Sequence, residues 1–106
     1  MPGWTVEVIP KAQHEIRALA KDLQARFLHV AEMLEDLGPQ RVGEPHVKHL
    51  EGKLWEMRMR GKDGIARAIY FAASGRRLIV VRVFAKKTQK TPGREVELAK
   101  QRMKGL

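Results

Sequence analysis

Cysteine is absent from the 106 residues of this sequence. Disulfide bonds, thiolate nucleophiles and cysteine metal sites are therefore excluded. The sequence also lacks any apolar run near the roughly 20 residues of a membrane span, and its first four residues, Met1 to Trp4, lack the basic and apolar regions of a signal peptide. We therefore expect a cytoplasmic protein that makes no contact with a membrane.

Aromatic residues are few, with two Trp, one Tyr and three Phe. Trp55 and Tyr70 lie in apolar strand patterns, so we predict that both belong to the core and not to a platform for stacked bases. Of the four histidines, His46 and His49 are three residues apart without a further ligand at a supporting spacing. We therefore expect no metal and no cofactor, and His49 is at most a weak candidate for a general base.

Acidic residues are scarce in the second half of the sequence. Residues 1–53 contain 7 basic and 8 acidic side chains, whereas residues 54–106 contain 14 basic and 4 acidic ones, within a formal net charge of +9. A one-sided basic field concentrates polyanions and supplies phosphate contacts that do not depend on sequence. The alternative is a solubilising surface, but the asymmetry favours contact with nucleic acid.

Hydrophobic periodicity predicts a single α+β domain over residues 1–106. Apolar residues alternate in strand-like runs and repeat every three or four positions over 10–37, where Asp22 could cap the second helix of a pair. The predicted strands are 4–9, 54–59, 65–71 and 78–84, the loop is 38–53 and the last helix is 92–104, with Thr91 as its possible N-cap. The order β-α-α-β-β-β-α predicts a mostly antiparallel sheet packed against an N-terminal helical pair, with a C-terminal helix.

One face of the predicted sheet is rich in arginine. A spacing of two places Glu56, Arg58 and Arg60 on the same side of their strand, and a hairpin at Asp63-Gly64 would bring Arg67 beside them. The junction after the last strand, from Phe84 to Pro92, would add further cations. These are Lys86, Lys87 and Lys90, while the direction of Arg82 is left open by its neighbours Val80 and Phe84. A solvated outer sheet face is the alternative to a site.

Such a cluster has the chemistry to cleave RNA without a metal. The ribose 2′-hydroxyl is an internal nucleophile, so the protein has to align it, move two protons and stabilise the added negative charge. Arginine and lysine supply the stabilisation directly. A lysine among other cations has its pKa lowered and could take part in proton transfer.

Four segments of the sequence resemble the RelE/HigB toxin superfamily, most closely its phage-derived HigB-like branch. They are Lys48–Arg58, Ala66–Phe71, Phe84–Pro92 and Arg94–Lys100, and the match covers most of residues 47–104. The resemblance implies the RelE/ParE-like fold and the toxin of a type II toxin–antitoxin system. It implies a metal-independent endoribonuclease that cleaves messenger RNA in the ribosomal A site of the small subunit, and a HigA-like helix-turn-helix antitoxin as its partner.

The resemblance also implies roles for particular residues. Arg58, Arg67 and Lys87 match the basic catalytic positions, and we assign RNA contacts to Glu56, Arg60, Arg82, Lys86, Lys90 and Lys48. No Tyr or His follows Tyr70, whereas members of the superfamily often carry one for acid–base work near the C-terminal helix. Two alternatives to the ribonuclease are a ParE-like toxin that poisons a protein such as DNA gyrase and an inactive RNA-binding relative. We expect Arg67→Ala to abolish growth inhibition and to leave the fold intact.

Overall fold

The polypeptide forms one five-stranded sheet with helices on both faces. A computed structural model describes residues 3–62, 64–87 and 90–106. The strands are β1 (Thr5–Val8), β2 (Val47–Glu51), β3 (Leu54–Arg60), β4 (Ile65–Ala73) and β5 (Arg77–Lys86), and the helices are α1 (Pro10–Arg17), α2 (Lys21–Leu37) and α3 (Gly93–Lys104). The sheet order is β1-β5-β4-β3-β2, with β1 parallel to β5 and the other pairs antiparallel. The α+β class and the predicted helical pair are confirmed.

Helices α1 and α2 pack on one face of the sheet. The buried stripe of α2, at Leu23, Phe27, Val30 and Leu34, lies in the same apolar core as Met57 of β3. The N-cap of α2 is Ala20, and the predicted cap Asp22 lies in the first turn of the helix instead. None of the helices in the described residues is long and apolar enough to cross a membrane.

Helix α3 covers part of the opposite face. Val96 and Ala99 are buried there in a second apolar cluster with Leu54 and Ile69. The predicted cap Thr91 was wrong, because Pro92 occupies the N-cap position without a capping side chain. Thr91 instead donates its hydroxyl hydrogen to Oε1 of Glu56 on β3. The start of α3 is therefore tied to the sheet beneath it.

The prediction of a loop over residues 38–53 was wrong at its end, because Val47–Glu51 forms the edge strand β2. Its register places Val47 opposite Met57 and His49 opposite Trp55, and Gly52 turns the chain with a φ of 54°. Only Val47 of this strand is fully buried. An edge strand with so few inward apolar residues does not produce a clear alternating pattern, so it could not be distinguished from a loop.

A β-bulge in β5 decides which of its residues face α3. Tyr70 of β4 pairs with Val80, but the preceding Ile69 pairs with Arg82, so Val81 is an extra residue in β5. An extra residue reverses the alternation of side chains beyond it. Arg82 and Lys86 consequently point to the same face as Glu56. The Asp63 position of the predicted hairpin lies outside the described residues, but the flanking strands pair as expected.

Arg82 holds α1, β5 and α3 together. Its Nε donates to Glu95 Oε1 at 2.7 Å, and its Nη1 donates to Glu15 Oε2. Glu15 also accepts hydrogen bonds from the Val83 backbone N–H at 3.0 Å and from Arg102 Nη1 at 2.9 Å. Burial by itself would raise the pKa of Glu15, but these hydrogen bonds and the charge of Arg82 lower it below its ordinary value. The network favours a structural role for Arg82, and its predicted RNA contact stays a prediction.

We expect Arg82→Met to lower the free energy of unfolding by about 2 kcal/mol, because Glu95 loses its ion pair with Arg82 at a partly buried position while Glu15 keeps only its pair with Arg102. Urea unfolding at neutral pH measures this loss. The matched control is Arg77→Met on the same strand, whose pair with Glu7 is exposed at 42% and 43% of the two side chains. That change should cost less than about 1 kcal/mol. Equal losses of unfolding free energy in the two variants would show that the network stabilises the fold no more than an exposed ion pair does.

Candidate active site

The centre of the site is a carboxylate buried between two guanidinium groups. Glu56 is 2% exposed and Arg67 is 3% exposed, and Glu56 Oε2 lies 3.3 Å from Arg67 Nε and 3.6 Å from Arg58 Nε. The other oxygen of Glu56 accepts the hydroxyl of Thr91. A buried carboxylate is costly unless it is paired and hydrogen-bonded, and both conditions are met here.

The pairing of β3 with β4 positions the two arginines. Arg58 and Arg67 are directly opposite one another in the antiparallel register, so their side chains leave the same face of the sheet. Arg67 Nη1 also donates to the backbone oxygen of Ala66 at 3.2 Å. Burial lowers the pKa of Arg67, the carboxylate of Glu56 opposes this shift, and the charges of Arg58 and Arg60 add to it. Glu56 therefore holds together guanidinium groups that repel one another.

Lys86 joins this cluster at the end of β5. Lys86 is opposite Ile65, which is two residues before Arg67 on β4, so Lys86 and Arg67 point to the same face of the sheet. Burial and the positive charges of Arg67 and Arg58 lower the pKa of Lys86 to about 8, against the attraction of Glu56. The expectation that a lysine among cations has a lowered pKa applies here to Lys86.

The other predicted site residues are more widely spread. Arg60 is exposed at the end of β3, and Lys48 is exposed on β2 opposite Glu56. Lys87 is exposed just after the end of β5 and, like Lys86, lines a depression with Leu19 and Leu23 near the start of α2. Lys90 is exposed between β5 and α3. The neighbouring positions 88 and 89 of the predicted basic junction lie outside the described residues.

A groove between α2 and β3 could not be predicted from the spacing of residues along the strands. Arg26 and His29 of α2 line it together with His46 and Lys62, and Arg58, Arg60 and Arg67 line its other side. We call it the α2–β3 groove. Arg26 and His29 are three residues apart on the exposed side of α2, but only the packing of α2 across the sheet reveals which strand that side approaches.

The positions of Tyr70, Trp55 and His49 in the sheet differ in burial. Tyr70 is in the core, as predicted, and its burial raises the pKa of its hydroxyl. Trp55 was predicted in the core but is 39% exposed, because it lies on β3 opposite the edge residue His49. The two rings meet edge to face with centroids 4.9 Å apart, and His49 Nε2 lies 2.8 Å from the Gly52 backbone oxygen. His49 shares the face of Trp55 and not that of Glu56, which argues against its acting as the base.

Among the residues that the structure describes, no group of three or more His, Asp or Glu side chains could hold a metal ion.

The sheet order and the pair of N-terminal helices are those of the RelE fold. Six chains of solved structures match this fold, including the archaeal RelE–RelB complex from Pyrococcus horikoshii OT3, with a TM-score of 0.57 and 23% identity over 78% of this chain and 94% of that one. No curated protein matches the sequence. The model of the family described as "Phage derived protein Gp49-like (DUF891)" matches residues 14–104, and the chain belongs to this family. The protein is thus a toxin of the toxin–antitoxin class.

Proposed function

We propose that the protein is a metal-independent endoribonuclease that cleaves messenger RNA in the ribosomal A site and thereby inhibits translation. The observation that carries the proposal is the joint placement of Arg58, Arg67 and Lys86 around the buried carboxylate of Glu56. Two guanidinium groups beside a lysine with a pKa of about 8 could supply both the electrostatic and the proton-transfer parts of phosphodiester cleavage.

The two arginines stabilise the phosphate that reacts. The ribose 2′ oxygen attacks the adjacent phosphorus, the bond from phosphorus to the 5′ oxygen breaks, and a 2′,3′-cyclic phosphate forms. The added negative charge on the phosphate oxygens is met directly by Arg58, which is 22% exposed as a side chain. Arg67 is 3% exposed, so it stabilises this charge through its electrostatic field. Glu56 is nearly inaccessible to RNA, so we propose that it positions these arginines instead of touching the strand.

Proton transfer requires an acid and a base. Lys86 is the acid in this proposal, because its pKa of about 8 leaves it mostly protonated at pH 7 yet able to give a proton to the departing 5′ oxygen. His46 is the base that takes the 2′ proton. His46 is half-buried and lines the α2–β3 groove with Arg58 and Arg67. Its backbone oxygen accepts a hydrogen bond from the backbone N–H of Arg58 at 2.8 Å.

The proposed partners are the translating ribosome and an antitoxin. The similar archaeal chain was solved as a RelE–RelB complex, which supports an antitoxin partner for this chain as well. We propose a HigA-like protein with a helix-turn-helix domain, as the sequence resemblance implies. The basic face, with Arg60, Lys48 and Lys90 around the site, suits the phosphate-rich A site.

Mapping messenger RNA ends in a translating extract tests the proposal. The purified protein should produce new ends within translated codons, and these ends should carry cyclic or 3′ phosphates. Translation arrest without new RNA ends would contradict the ribonuclease. A DNA damage response in expressing cells would then favour a gyrase-poisoning toxin.

A further inference from the structure

The α2–β3 groove extends the basic cluster beyond the proposed catalytic centre. It encloses about 960 Å³ between the exposed side of α2 and the end of β3. The groove forms because β2 begins opposite Met57, so Arg58–Arg60 continue past the start of that strand. Arg58 and Arg67 therefore border both the buried pair with Glu56 and the groove.

The rims of the groove are cationic. Arg26 stands on the α2 side and Lys62 on the side of the β3–β4 turn, with Arg60 between Lys62 and the catalytic centre along the chain. Asp22 is the acidic residue among the described residues of the lining, and its Oδ2 accepts the Lys62 backbone N–H at 2.6 Å while its Oδ1 accepts the Leu23 backbone N–H at 2.9 Å. Its one negative charge is outnumbered by the four arginines and the lysine that line the groove with it.

The floor of the groove is apolar and carries an imidazole. Val30, Met59 and Ile65 line it, and the exposed ring of His29 lies on the same side of α2 as Arg26. Cationic rims over an apolar floor are the features with which proteins bind single strands, because phosphates take the rims while base faces lie on apolar or ring surfaces.

We propose that the α2–β3 groove binds the RNA strand that flanks the cleaved phosphate, with Arg26 and Lys62 as phosphate contacts and His29 as a stacking surface for a base. The inference rests on the proposed function for its substrate. Continuity with Arg58 and Arg67 favours RNA over an acidic protein segment, because a strand with its reactive phosphate at Arg58 leaves the site directly into the groove.

Binding of labelled oligonucleotides to the full-length protein tests the groove. Two single-stranded RNA analogues of about four and about twelve nucleotides carry 2′-O-methyl groups to prevent cleavage. The short one should occupy only the proposed catalytic centre, and the long one should also reach the groove. In Arg26→Gln/Lys62→Gln the affinity for the long analogue should fall about tenfold or more, and the slope of log affinity against log salt should decrease by about 1.4, since two phosphate contacts are lost. Affinity for the short analogue should change less than about twofold.

The control is Lys11→Gln/Arg41→Gln, which removes the same two charges from exposed positions outside the groove. If it weakens the long analogue as much as the groove variant does, or if the wild type binds both lengths equally, the proposal is overturned. Loss of antitoxin binding in the groove variant with RNA affinity unchanged would also overturn it, in favour of an acidic protein segment. If the wild type binds the long analogue through Arg26 and Lys62 but cleaves no RNA, the groove stands and the ribonuclease fails.

Discussion

Arg67→Ala should lower the free energy of unfolding by about 3–5 kcal/mol and abolish the proposed RNA cleavage, because it removes the main partner of a buried carboxylate. Glu56 would keep Thr91 and Arg58, but Arg58 Nε is 3.6 Å away and this side chain is 22% exposed. The burial of Arg67 also changes the expectation from strand spacing that such a variant would keep its fold intact. Chemical unfolding and cleavage of a model RNA, measured on the same sample, give both effects.

A second variant separates the loss of folding from the loss of chemistry. Glu56→Gln/Arg67→Gln removes both charges and leaves groups that can hydrogen-bond to one another, so it should recover part of the stability that Arg67→Ala loses. Cleavage should remain at least about 100-fold below the wild type, because the phosphate charge still lacks its buried guanidinium. A stable double variant that cleaves RNA at the normal rate would remove Arg67 from the site, and an Arg67→Ala protein of normal stability would contradict the buried-pair argument.

Much of the sheet face was predictable from residue spacing. Period-two spacing places Glu56, Arg58 and Arg60 on one side of β3, and the antiparallel hairpin brings Arg67 opposite Arg58, as the structure shows. Residue spacing could not show how deeply these side chains are buried. Whether such a face is solvated or buried depends on what covers it, and here the start of α3 reaches Glu56 through Thr91.

Which of Lys86 and Lys87 faces Arg67 was not predictable from the sequence, because this depends on a bulge several residues earlier in β5. With regular alternation from Ile79, the odd-numbered residues of β5 would face α3 and Lys87 would follow them. The extra residue at Val81 reverses the alternation, so Lys86 instead takes the side of Arg67. A bulge has no reliable sequence signal, since it arises from the fit of two neighbouring strands. The α2–β3 groove was hidden in the same way, because it needs the packing of α2 over the sheet.

Lys86→Arg separates the charge of this residue from its ability to release a proton. The variant keeps a cation beside Arg67, so RNA binding should stay within about threefold of the wild type, but a guanidinium does not give up its proton near neutral pH. If Lys86 is the general acid, cleavage should fall by about 10²–10⁴-fold. Single-turnover cleavage of a bound RNA measures the chemical step, and Lys87→Arg is the matched control, which should cleave normally. Normal cleavage by Lys86→Arg would rule out the acid role.

The pH dependence gives an independent measurement on the same lysine. With a pKa of about 8, Lys86 loses its proton as the pH rises through that value. Wild-type cleavage should therefore decline above about pH 8, whereas the residual cleavage by Lys86→Arg should not.

The lowered pKa of Lys86 also makes the stability of the fold depend on pH. Because the folded pKa lies below the value of about 10.4 in an unfolded chain, the charged lysine destabilises the fold fully below pH 8, and this cost disappears between about pH 8 and pH 10.4. Lys86→Gln should therefore be more stable than the wild type at pH 7, by a few degrees in Tm, and lose that advantage as the pH approaches 10. An advantage that is the same at pH 7 and pH 10 would mean that burial and the neighbouring cations do not lower the pKa of Lys86.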